Sequence, residues 1–90
     1  MYEIRRGECG QFIYIQLKGE KNRSSYIGEI YSSRRIFAFR AYRLPADDLC
    51  FIMGDSPSLE LAILKLIVSL AEVGYDYDEL SKLNFNAIEI

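Results

Sequence analysis

The stretch Pro57 to Val73, PSLELAILKLIVSLAEV, constrains this chain most, because it is the only long run with helical periodicity. At about 100° per residue, Leu59, Ala62, Ile63, Leu66, Ile67, Leu70 and Val73 fall on one apolar stripe. Leu61, Leu64, Val68 and Ala71 widen it, and only Ser58, Lys65, Ser69 and Glu72 share a polar strip. A helix apolar over most of its circumference is expected to be buried on more than one side. A sheet covers one side, and the chain's own C-terminus or a second subunit covers the rest. Leu61, Leu64 and Val68 are therefore candidate self-association residues, and a homodimer is a candidate assembly. Ser56 is the expected cap, with Pro57 at the first helical position, where its missing N–H costs nothing. Gly74 is the expected stop.

The segments before the helix alternate with the period of strands. Gln11 to Leu17 sets Ile13, Ile15 and Leu17 against Phe12, Tyr14 and Gln16. Tyr26 to Tyr31 is a second strand, in which Gly28 marks a bulge or a close contact. Ile36 to Leu44 is a third, and after the break at Pro45 to Asp48, Leu49 to Met53 is a short fourth. The short polar turns between them favour consecutive antiparallel pairing. After Gly74, Asp76 and Glu79 open a short helix through Leu83, and Phe85, Ile88 and Ile90 form an apolar tail, either an edge strand or a flap over the helix. The expectation is one α+β domain over residues 1–90: an antiparallel sheet of three to four meandering strands packed on one long helix, with a short C-terminal helix or tail.

Composition narrows the function classes. The N-terminus lacks the apolar core of a signal peptide, and the helical run is too short, and too interrupted by Glu60 and Lys65, for a membrane span. Cys9 and Cys50 fit reduced structural thiols, so a cytoplasmic location with no membrane contact is expected. The net charge of −2 hides an asymmetry: residues 1–43 carry nine Lys/Arg against four Asp/Glu, and residues 44–90 carry two against nine. Such a dipole favours oriented encounter with a charged partner, or head-to-tail self-association.

Enzyme signatures are missing. The chain has no histidine, which removes the commonest general base and metal ligand, and no phosphate-binding glycine loop or nucleophile elbow. The acidic pair Asp47–Asp48 and the cluster Asp76, Asp78 and Glu79 fit turns and capping better than calcium binding, because the loop glycine and the twelfth-position Glu are lacking. Cys9 has Arg5 and Arg6 nearby but no base beside it. Asn22-Arg23-Ser24 matches a glycosylation sequon without a secretion signal. A non-enzymatic chain without catalytic residues, metal or cofactor is expected.

The constellation that stands out is arginine interleaved with aromatics on the strands. In the third strand Arg40 and Tyr42 share a face, while Phe37 and Phe39 point oppositely, under the helix. Arg40, Tyr42 and Tyr14, with the turn residues Arg34 and Arg35, form the candidate partner-binding surface. Tyrosine and arginine on a rigid sheet suit a protein interface. The same types also suit a nucleic acid, with guanidinium groups on phosphates and rings on bases, although the sequence pI of about 5.1 is acidic for that role.

The segment Phe39 to Tyr42, a short break, and then Gly54-Asp55-Ser56-Pro57-Ser58-Leu59-Glu60-Leu61-Ala62 opening an apolar helix resemble small uncharacterised phage-encoded α+β accessory proteins. The resemblance covers residues 37–73 and carries over no functional residue. It implies a non-catalytic protein that binds a host or defence component stoichiometrically. The expected function is thus a small protein-binding module, such as a phage-type inhibitor or modulator, with nucleic-acid binding by the same face as the alternative.

Overall fold

The computed structural model describes residues 2–7, 12–19, 25–44 and 51–83. Cys9, Cys50, the pair Asp47–Asp48, the sequon at 22–24 and the apolar tail through Ile90 lie outside them. Five strands, β1 (Tyr2–Arg6), β2 (Ile13–Leu17), β3 (Tyr26–Ser33), β4 (Ile36–Tyr42) and β5 (Phe51–Ser56), precede helices α1 (Leu59–Glu72) and α2 (Tyr77–Ser81). The strands form one antiparallel sheet in the order β1-β2-β3-β4-β5, an unbroken meander.

The sheet therefore exceeds the expected three to four strands by β1. Three of its five residues are charged, so its propensity is weak, yet Tyr2 and Ile4 still alternate with Glu3 and Arg5. Pairing of Ile4 with Ile15 and Tyr2 with Leu17 adds the two side chains to the core, and that contact makes it a strand. β5 also runs on to Ser56, through Gly54 and Asp55, because the ladder with β4 holds these turn-type residues extended.

One face of the sheet is apolar. Ile13 and Ile15 of β2, Ile27 and Ile30 of β3 and Phe39 and Ala41 of β4 are buried against Ala62, Leu66, Ile67 and Leu70 of α1 and Leu80 of α2. The contact is closest at Gly28, where a Cβ would stand 2.9 Å from Leu66 Cδ1. Ile15 pairs with Gly28 but Gln16 with Tyr26, so Ile27 is the extra residue of a bulge and also joins the core. Both readings of Gly28, bulge and close approach, hold at this one place.

The helix ends are capped by hydrogen bonds. Ser58, not Ser56, caps α1: its Oγ accepts from Leu61 N at 3.2 Å, and Pro57 precedes the cap. At the other end Tyr75 N donates to Leu70 O and Gly74 N to Ala71 O, a Schellman motif that Gly74 permits with φ of +112°. Asp76 then caps α2 by accepting from Asp78 N and Glu79 N. Tyr2 meets Tyr75 edge to face at 6.0 Å and accepts from Asp76 N, which ties β1 to this corner.

Leu61, Leu64 and Val68, expected under a cover, are 40%, 51% and 41% exposed. The sheet and α2 occupy the opposite side of α1, and among the described residues nothing lies over this stripe. No helix among the described residues is long and apolar enough to cross a membrane.

The seat of α1 is directly testable. Gly28→Ala should lower stability by about 1–2 kcal/mol through overpacking. In a Leu66→Ala background the same change should cost little, because the opposing methyl groups are gone. Urea titrations of the four chains in that cycle measure the coupling.

Candidate functional site

The other face of the sheet, away from α1, carries Tyr14, Arg40 and Tyr42 of the five predicted contact residues. The ladder aligns Arg5, Tyr14, Glu29, Arg40 and Met53 in one row across all five strands. Tyr31 and Tyr42 flank the row on β3 and β4, and Phe51 lies opposite Tyr42 on β5. This clustering follows from strand alternation, so residue types of one parity in five strands arrive on one surface.

At its centre sits a residue that the sequence reading passed over. Glu29 has no exposed surface, and its Oε2 accepts from Tyr42 Oη at 2.5 Å and Tyr31 Oη at 2.8 Å. The Arg40 guanidinium lies 5.3 Å from the Tyr31 ring centroid and 5.2 Å from that of Phe51, a cation between two π faces. Toward β1, Tyr14 stacks on Tyr26 at 4.0 Å, and Gln16 Nε2 donates to Glu3 Oε1 at 2.6 Å. A signal for Glu29 did exist: it is the one acid in the run YIGEIYSS, and a meander of this register sets it beside Arg40.

Electrostatics follow from that enclosure. Burial pushes the Tyr42 hydroxyl well above the ordinary phenol range, and the hydrogen bond to Glu29 and its charge push further, with Arg40 opposing. Burial similarly raises Tyr75, helped by Tyr2. Glu3 is held below the usual carboxylate range by the Gln16 amide first and by Arg5, 3.5 Å away, second.

The five predicted contact residues thus separate into two groups. Tyr14 and Tyr42 lie on the expected face but are only 2% and 1% exposed, so their rings are not the open surface expected of them. Each is held by neighbours, Tyr14 by Tyr26 and Tyr42 by Glu29 and Phe51. Arg40 is half-buried in the same network, and rings enclosed this way offer no free side to a base. Arg34 and Arg35 are exposed at the β3–β4 turn. That turn is a two-residue hairpin loop, since Ser33 pairs with Ile36. Arg34, its first central residue, has φ of +54°, a left-handed conformation that favours glycine. Among the described residues, no group of three or more acidic or cysteine side chains is placed to hold a metal ion.

No protein-family profile, curated protein or solved structure matches the chain.

Tyr42→Phe should lower stability by about 1–3 kcal/mol at neutral pH by leaving Glu29 short of a donor. Because the folded state raises the Tyr42 pKa, its contribution is complete below the unfolded value of about 10 and is lost as pH climbs beyond it. Thermal melts across the alkaline range should therefore fall more steeply for the parent chain than for Tyr42→Phe.

Proposed function

We propose that this chain is a small non-enzymatic protein-binding module that acts stoichiometrically, as a phage-type inhibitor or modulator of a host or defence complex would. The β3–β4 turn, with Arg34 and Arg35, is its contact surface. The observation that carries this reading is the backbone of Arg34. A side chain in the left-handed region costs roughly 1–2 kcal/mol, and glycine at that position of the turn would avoid it. The chain instead holds two consecutive arginines, both exposed, at the tip of a two-residue hairpin turn.

Backbone strain of this kind collects where a side chain is needed at a defined point. Arginine presents a planar fork of donors that suits carboxylates, so the reading implies an acidic patch on the partner. Arg40, Tyr42 and Tyr14 act behind this surface. Their network with Glu29 stiffens β3 and β4, and so fixes where the turn points. Exchanging Arg40 for an acid would therefore disturb the fold together with any contact.

Two variants separate binding from folding. Arg34→Gly should raise the melting temperature by about 4–8 °C, by relieving roughly 1 kcal/mol of strain, while weakening partner capture. Arg34→Glu with Arg35→Glu should abolish capture with little change in the melt. The measurement is a tagged pull-down with and without nuclease, read by mass spectrometry for the parent and both variants. Capture of the same protein by the double variant would remove the turn from the interface. Loss of every partner on nuclease treatment would replace the reading with nucleic-acid binding.

A further inference from the structure

The last strand of the sheet, β5, lies at its edge. Lys65 Nζ donates to Asp55 O at 3.1 Å, so that carbonyl points off the edge instead of toward β4. In an antiparallel ladder the residues alternate in direction, so Phe51, Met53 and Asp55 turn their N–H and C=O groups outward. The opposite side of the sheet gives the same phase. Phe12 N donates to Ile30 O at 2.7 Å, so Ile30 serves β2 while Glu29 and Tyr31 serve β4. Arg40 and Ala38, their partners, then have no backbone groups left for Met53 and Asp55. Among the described residues, no strand and no side chain takes the outward groups of Phe51 and Met53. Met53 is also 60% exposed, an unusual apolar display on an edge strand.

We propose that this edge pairs antiparallel with the β5 edge of a second copy of the chain, with Met53 of each copy meeting on the twofold axis. Three features of the strand make it self-complementary. The outward residues are spaced evenly about Met53, so Phe51 falls opposite Asp55 of the other copy, and the Asp55 carbonyl, which already accepts from Lys65, takes the ladder bond on its second lone pair. All three side chains lie on the face away from α1, so pairing joins like faces and leaves both helices on one side of a continuous sheet. Charge matches as well. Asp55 of one copy comes to the Phe51 ring that carries the Arg40 guanidinium of the other, and the two Asp55 side chains stay at opposite ends of the seam. A six-residue edge buries less than the roughly 1,600 Å² of a standard interface, so the dimer is weak and concentration-dependent. This contact is independent of the arginine turn.

Sedimentation equilibrium of the full chain over the micromolar range tests it. The apparent mass should rise from monomer toward dimer. Met53→Lys, which sets two ammonium groups against each other on the axis, should weaken association at least tenfold while the thermal melt stays within a few degrees. Asp55→Arg should weaken it as well, by facing Arg40 of the second copy. Leu64→Lys on the exposed side of α1 should leave it unchanged. A chain that stays monomeric at the highest concentration overturns the proposal. So does a dimer that ignores both β5 variants, or one lost only with Leu64→Lys.

Discussion

The fit of Leu66 against Gly28 is the contact on which the rest of the structure depends. A Cβ at Gly28 would stand at 2.9 Å from one Leu66 methyl group and at 3.4 Å from the other, so the missing side chain lets α1 settle onto the middle of the sheet. That close seat buries Ala62, Leu66 and Leu70 completely and brings the end of α1 to the corner where Leu80 and Tyr75 close over the core. The bulge in β3 belongs to the same arrangement, because Ile27 fills space beside the helix that a regular strand would leave to Gly28 alone.

With one face committed to the helix, the chemistry of the chain collects on the other. Glu29 is enclosed there with two tyrosine hydroxyls on one of its oxygens, and Arg40 is held between two rings. A buried carboxylate left short of donors is costly, so its partners are fixed in place as firmly as any apolar core residue. This polar layer spans the central strands on the side away from α1. Among the described residues, Arg34 and Arg35 of the β3–β4 turn are exposed, and β1 and β5 form the two edges of the sheet.

Local signals in the sequence determined much of this. The apolar period of Pro57 to Val73 led to α1, with Gly74 as its stop, and Asp76 led to α2. Alternation led to β2, β3 and β4, and the short turns led to the antiparallel meander. It also put Phe39 under the helix and Arg40 with Tyr42 on the far face. These properties depend on neighbours a few residues away, so composition and spacing carry them.

Tertiary contact decided the remainder. β1 is a strand because β2 pairs with it, despite its charge, and β5 runs through Gly54 to Ser56 because β4 holds it there. The α1 cap fell on Ser58 in place of Ser56, because the β5 ladder keeps Ser56 extended. Most of all, alternation tells which face a side chain takes but not how closely its neighbours enclose it. Tyr14 and Tyr42 were legible as outward residues, yet Tyr26 stacked on the first and Glu29 with Phe51 around the second bury them, while Leu61, Leu64 and Val68 on an apolar helix stay exposed. Burial is a property of the assembled neighbourhood, and no single segment of sequence contains it.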